Sequence, residues 1–205
     1  MYKMQKLRPK ELGLLFVVGG PGGSGASTIS KMLAKHFKLK RTYAGQIFRN
    51  LVKNYGFEEL NDLYSELPIE DIYEFDRVTD DQMIRESQEK DVLIESKNFA
   101  GVSTNKGIPC TVKIWLESSL DVRTKRHLKR DGYDKFPGNI LKYIQIRRFL
   151  RERYESDKKR YKVLYNMDYD NPELYNDIVI DSSKQTVNET YNLILKKIKD
   201  GGYIK

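Results

Sequence analysis

A doubly wound α/β fold with a five-stranded parallel sheet is predicted by three observations on this chain of 205 residues. Short apolar runs alternate with longer stretches of helical period from one end to the other. The apolar runs are continuous rather than alternating, as strands buried on both faces require. The first of them breaks into a glycine-rich turn that opens directly into a helix. Strand, helix, strand in that order argues for helices on both faces of one sheet. Ligands on such sheets bind beyond the carboxyl ends of the strands, so site residues are expected there.

The first strand is predicted over Leu14 to Val18. After it come Gly19-Gly20-Pro21-Gly22-Gly23-Ser24-Gly25-Ala26-Ser27-Thr28, the layout of a phosphate-binding loop. Backbone N–H groups in such a turn can point inward at an anion, and the new helix adds its positive end. Read against G-x-x-x-x-G-K-[ST], Gly20 and Gly25 are the two glycines and Ser27 is the hydroxyl that would ligate Mg²⁺. The lysine position holds Ala26, so the residue that carries charge to the β/γ-phosphates is missing. The bland alternative is a glycine-rich turn without a ligand.

A helix over Thr28 to Phe37, a short strand over Leu39 to Tyr43 and helices over Gly45 to Asn54 and Ile69 to Gln88 follow. The third strand, Asp91 to Ile94, runs into Glu95. A carboxylate at that strand end can hold Mg²⁺ directly or through water. The fourth strand covers Thr111 to Leu116, and the helix Leu120 to Lys129 starts a row of Arg123, Arg126 and Arg130 on one face. A turn-rich segment, Asp131 to Gly138, leads into a long helix over Ile140 to Leu164. On it Arg153, Asp157 and Arg160 stand at i, i+4 and i+7, which puts them on one face. They are either an ordinary surface ladder or, with the first arginine row, a lid that closes over phosphates. A fifth strand, Asp177 to Ile180, and a helix over Thr186 to Ile198 end the pattern.

The formal charge of +8 calls for anionic partners without saying which. Basic residues concentrate in Arg123 to Arg130 and between Lys142 and Lys162. A nucleic-acid binder would share that footprint, but most tyrosines sit at helical spacing among apolar residues and read as core or core edge. No apolar run is long enough to span a bilayer. The lysine-rich stretch Met1 to Glu11 lacks the apolar centre of a secretory signal. Cys110 is the only cysteine, which excludes an internal disulfide or a cysteine zinc site and suits the cytoplasm. His36 and His127, the only histidines, read as solvated surface residues. Neither lies beside a strand-end nucleophile signal, which argues against a hydrolase triad.

Six segments in order carry a resemblance to a known family. They are the loop Gly20 to Thr28; Tyr43-Ala44-Gly45-Gln46-Ile47-Phe48-Arg49, like S/Y-A-G-x-x-F-R; and Val92-Leu93-Ile94-Glu95-Ser96-Lys97, like V-x-I-[DE]-G-R. Val112 to Leu116 matches the fourth strand. Glu152 to Tyr161, followed by Tyr165-Asn166-Met167-Asp168, is similar to E-R-x-x-[SD]-x-[KR]-[KR]-R-Y…Y-G-I-D. Tyr175 to Ser183 is similar to Y-D-[LI]-V-I-[DN]-T. In order and spacing the chain resembles the archaeal-type (type 2) cytidylate kinases, within the P-loop nucleoside monophosphate kinases.

The resemblance implies transfer of the γ-phosphoryl of ATP to CMP or dCMP with Mg²⁺, by one domain over 1–205. Its core would comprise 12–44, 90–130 and 165–205, with a helical NMP-binding insertion at about 45–89 and a lid at about 131–164. Gly20, Pro21, Gly22, Gly23, Ser24, Gly25, Ala26, Ser27, Thr28, Arg126 and Arg130 would bind ATP. Tyr43, Gly45, Arg49, Lys97, Arg153 and Asp157 would bind the acceptor. Lys97, Arg153 and Arg160 would act on the transferring phosphoryl, and Ser27 and Glu95 would hold the metal. A monomer is expected, with nucleotides as substrates and neither a membrane nor a specific nucleic acid as partner.

Three departures from the family pattern stand out. Ala26 replaces the loop lysine or threonine, Lys97 replaces an arginine, and Asp80-Asp81 stand in a stretch often rich in arginine. With Ala26 unfilled, the cations left for the β/γ-phosphates are Arg123, Arg126, Arg130 and Arg160. Two alternatives stay open: a kinase of the same fold with another acceptor, and a nucleotide- or nucleic-acid-binding protein that lost turnover at Ala26.

Overall fold

Four apolar runs and the more polar segment Lys40–Tyr43 become five parallel strands. A computed structural model describes residues 8–57, 67–133 and 139–204. The strands are β1 (Leu15–Gly19), β2 (Lys40–Tyr43), β3 (Val92–Glu95), β4 (Val112–Glu117) and β5 (Ile178–Asp181). Their order across the sheet is β2-β3-β1-β4-β5, and every pairing is parallel. The described helices are α1 (Ala26–His36), α2 (Ala44–Asn54), α3 (Ile69–Glu86), α4 (Phe99–Lys106), α5 (Leu120–Arg130), α6 (Ile140–Tyr165) and α7 (Val187–Asp200). The fold class read from the sequence is therefore the observed one.

β1 lies at the centre, and all five of its residues are buried. Alternate residues of a strand point to opposite faces. Phe16 and Val18 accordingly join Ile29, Leu33 and Ile194 from α1 and α7. Leu15 and Val17 join Met83, Phe99 and Val102 from α3 and α4. Each such side chain contributes roughly 1.5–3 kcal/mol by burial, so the phosphate loop hangs from the buried centre of the sheet. Two smaller clusters hold the flanking helices. Val52, Ile72 and Phe75 join α2 to α3, and Trp115, Tyr161, Met167 and Tyr169 hold the end of α6 against the sheet. The tyrosines of the second cluster are core residues, as their spacing implied.

Local differences from the sequence reading have physical causes. α1 begins at Ala26 rather than Thr28, because Gly25 already accepts the Thr28 and Ile29 N–H groups at 3.0 Å. Asp91 precedes β3 rather than starting it. Its φ is +53°, its carboxylate accepts the Leu14 N–H at 2.9 Å, and its carbonyl accepts that of Lys40 at 2.8 Å. α4 has no counterpart in the sequence reading. Phe99 to Val102 and Ser103 are all buried, so the helix lacks the polar stripe that would reveal its period. Parts of the expected insertion (58–66) and of the turn-rich hinge (134–138) lie outside the described residues, as do residues 1–7.

Candidate active site

At the carboxyl end of β1 the chain turns through Gly20–Gly25 into α1. Gly23 and Gly25 have φ of +88° and +99°, a region that only glycine enters without strain. A methyl group on Gly23 would also lie 3.0 Å from the Arg123 Cβ and from the His127 Cδ2. No side chain caps α1, which leaves its positive end open to an anion. Arg126 braces the loop from behind. Its Nη1 donates to the Gly23 and Ser24 carbonyls at 3.2 and 2.9 Å, and its Nη2 to the Ser182 carbonyl at 2.8 Å. The Ser182 hydroxyl also donates to the Ser24 carbonyl at 2.9 Å. In a trans peptide the C=O and the next N–H point opposite ways. Fixing the Ser24 carbonyl toward Arg126 therefore turns the Gly25 N–H the other way.

The loop forms one wall of a cleft of about 980 Å³, the upper end of the usual range for small-molecule sites. Tyr43, Gly45, Arg49, Glu95, Lys97, Arg130, Arg153, Asp157 and Arg160, all expected site residues, line it together. Tyr43 ends β2, and a methyl group on Gly45 would lie 2.7 Å from its ring. The Arg49 guanidinium stands 5.1 Å from the centroid of the same ring, so glycine at 45 lets the tyrosine fold over toward the arginine.

Across the cleft lies a chain of buried charges. Lys97 bonds Asp157, which in turn accepts from Arg160 Nη2 at 2.6 Å, and Arg160 Nη1 pairs with Asp76 at 3.2 Å. Asp157 and Arg160 are only 2% and 3% exposed, so the row on α6 is not a solvated ladder. Lys97 takes one carboxylate oxygen of Asp157 and Arg160 the other, while Arg153 stays half-buried on the cleft wall. Burial lowers Lys97 to about 8 despite Asp157. Asp157 stays below the usual carboxylate range, because Lys97, Arg160 and Arg153 outweigh its burial. Burial raises Asp76 to about 7, against the pull of Arg160. Asp80, raised to about 6 by burial, accepts both Tyr165 and the Asn98 amide.

Asp76 is missing from the sequence-predicted site, yet it left a signal. Ile72, Phe75, Asp76, Thr79, Asp80 and Met83 are all buried, the spacing of one helix face. A carboxylate on an apolar stripe needs a cation, and here Arg160 supplies it. Asp76 also gives the fold a pH dependence. Its folded value of about 7 lies above the unfolded carboxylate range, so its contribution is fully present below about pH 4 and is lost as pH rises through about 7. The stability difference between the parent and Asp76→Asn, read from urea unfolding at pH steps from 4 to 8, should accordingly shift in favour of the variant between those limits. A difference independent of pH would mean that Asp76 titrates normally.

Two expectations about basic side chains are corrected. His127 is not a solvated histidine. It is half-buried beside Gly23, and burial together with Arg130 lowers it to about 4. Arg123 is not available to the cleft, since it is buried beneath the loop with its guanidinium 5.8 Å from the Tyr154 ring. Arg130 is exposed and pairs with Asp131 at 2.9 Å.

The expected metal residues, Ser27 and Glu95, line the cleft and are both bonded by an arginine outside the sequence-predicted set. Arg41, on β2, bonds Glu95 through Nε at 2.9 Å and through Nη2. Its Nη2 donates to Ser27 Oγ at 3.3 Å and its Nε to Ser30 Oγ at 2.9 Å. The signal was a charged residue inside a four-residue strand. Among the described residues no group of three or more His, Cys, Asp or Glu could hold a metal by itself. A hydroxyl and one carboxylate are hard oxygen donors that fit magnesium when phosphates complete its shell.

Comparison with known proteins agrees with this arrangement. A family model described as an AAA domain matches residues 18–136. A cytidylate kinase of Methanopyrus kandleri is 34% identical over 191 residues, covering 89% of this chain and 92% of the relative. One from Methanocaldococcus jannaschii is 33% identical over 185 residues, covering 90% and 97%. Among solved structures, a shikimate kinase from Acinetobacter baumannii superposes with a TM-score of 0.59 at 13% identity, covering 94% of this chain and 96% of its own. An uncharacterized protein from Eubacterium ventriosum gives 0.62 at 17% identity, covering 91% and 98%. These two likenesses speak for the fold alone. With relatives at this identity over nearly its whole length, the chain belongs to the cytidylate kinase family.

Proposed function

We propose that this protein transfers the γ-phosphoryl group of ATP to CMP or dCMP, giving ADP and CDP or dCDP. The observation that carries the reading is the opposition of two charged walls in one cleft: the uncapped start of α1 behind Gly20–Gly25, and the Lys97–Asp157–Arg160 chain with Arg153. The loop and α1 take the phosphates of ATP. Arg49 takes the acceptor phosphate beside Tyr43 and Gly45, and Asp157 holds Lys97 and Arg160 where the phosphoryl passes. Arg126 acts on ATP through the loop it braces, and Arg130 from the rim of the cleft.

The acceptor phosphate is already an anionic nucleophile, so no strong general base is required. Catalysis is then positioning plus neutralisation of charge in a closed, water-poor site. Ser27 and Glu95 would hold Mg²⁺, which supplies charge at the β/γ-phosphates. The segments 45–89 and 131–164 act as acceptor-binding insertion and lid around the rest of a single domain, which works as a monomer in the cytoplasm. No helix among the described residues is long and apolar enough to cross a membrane.

Steady-state kcat/KM with ATP and Mg²⁺ across CMP, dCMP, UMP and AMP tests the reading. CMP and dCMP should be the best acceptors, with little discrimination between the two sugars. A clear preference for AMP would sink the cytidylate assignment.

A further inference from the structure

Ala26 leaves the start of α1 without the cation that the loop pattern calls for. Each of the four arginines that the sequence offers in its place has partners outside α1. Arg123 lies beneath the loop, Arg126 holds loop carbonyls, Arg130 pairs with Asp131 at the rim, and Arg160 is built into the Asp157–Asp76 chain. Arg41 is different. Ser27 and Ser30 stand at i and i+3 on α1 and so share the face turned toward β2. The Arg41 guanidinium lies against both of them and against Glu95. Ser27 is the residue next to Ala26. The guanidinium also stands 5.1 Å from the centroid of the Tyr43 ring, which lines the cleft.

We propose that Arg41 replaces the missing loop lysine and carries positive charge to the β-phosphate, and in ATP also the γ-phosphate, of the bound nucleotide. The assignment rests on the nucleotide-binding reading above. A guanidinium has five N–H donors in a fixed fork. In Arg41, Nε and Nη2 make the bonds to Ser30, Glu95 and Ser27, while Nη1 takes part in no hydrogen bond among the described residues. One side chain can therefore keep the Glu95 carboxylate in place and still offer a donor to a phosphate oxygen. A lysine at position 26 would reach the phosphates from α1; Arg41 reaches the same end of α1 from the neighbouring strand. Side-chain length makes the exchange feasible, because arginine spans the gap from β2 that alanine leaves at the helix start.

The decisive measurement is ADP affinity by titration calorimetry in EDTA, where no metal masks the loss of a protein cation. The parent, Arg41→Gln, Ala26→Lys and the double variant Arg41→Gln/Ala26→Lys are compared. Removing a charged hydrogen bond to the β-phosphate should weaken ADP binding about 10- to 100-fold in Arg41→Gln. Ala26→Lys should restore most of that loss in the double variant, since the new ammonium stands in for the lost guanidinium. If Arg41→Gln binds ADP as the parent does, Arg41 is no phosphate ligand and the assignment is overturned. If the double variant folds but stays weak, Arg41 acts only by holding Glu95, which overturns it equally.

Should Arg41→Gln fail to fold with Glu95 left unpaired, Arg41→Lys takes its place. A single ammonium keeps the ion pair but cannot also span to the phosphate, so ADP binding should weaken and Ala26→Lys should again restore it. Unchanged affinity in Arg41→Lys would then overturn the assignment. A parent that does not bind ADP at all would instead bring down the nucleotide-binding reading itself.

Discussion

Arg160→Ala is expected to lower kcat about 100-fold or more, the usual consequence of losing one charged group that meets the transition state, and to destabilise the fold as well. The second effect follows from burial. Arg160 is 3% exposed and pairs with both Asp157 and Asp76. Its truncation leaves buried Asp76 without its cation and Asp157 with Lys97 alone, and breaking a buried pair in this way costs about 3–5 kcal/mol. Arg160→Lys separates the two effects. It keeps a charge between the carboxylates but loses the planar fork that reaches both, so stability should recover more than kcat. Urea unfolding and steady-state kinetics on the two variants check this. Turnover at the parent rate in Arg160→Ala would show that the chain of charges is purely structural.

Gly23→Val should weaken ATP binding about 10- to 100-fold, on the scale of the strain it introduces, and leave CMP binding nearly intact. The reason is local. Gly23 sits at φ +88°, and a Cβ there would come within 3.0 Å of Arg123 and His127 and 3.1 Å from the Arg123 carbonyl. Arg123 is buried and α5 is packed against α6, so the loop must move rather than the helix. A β-branched residue resists the left-handed conformation most strongly. Calorimetric titration with ATP and, separately, with CMP reads both affinities. Unchanged ATP affinity would mean that the loop does not cradle phosphates.

Sequence periodicity placed four of the five strands, because strands buried on both faces are apolar nearly throughout, whereas the edge strand β2 carries Lys40 and Arg41 and buries only Thr42. Strand-end reasoning located the glycine loop and Glu95, since chemistry on a parallel sheet collects there. Tyr43, Gly45, Arg49 and Lys97 were marked only by the family resemblance. α4 escaped because a helix buried nearly all round has no polar face to mark it. The fate of the Arg153–Asp157–Arg160 row was likewise undecided. A helix face can be read from spacing, but whether that face meets water or Lys97 and Asp76 depends on what packs against it.

Charge placement shows the limit most clearly. Arg123, Arg126 and Arg130 look equivalent on one helix, yet one is buried under the loop, one holds its carbonyls and one faces solvent. Asp76 and Arg160 are 84 positions apart in the chain, and Arg41 and Glu95 are separated by 54. No local pattern connects such pairs. They meet only because α3, α6, β2 and β3 converge on the same cleft, where low polarity makes each charge depend on its partner. The sequence by itself marked the glycine loop and the charged rows as candidates for phosphate chemistry; the tertiary structure decided the partners of each cation, Arg41 among them, because burial ties them to particular carboxylates and carbonyls.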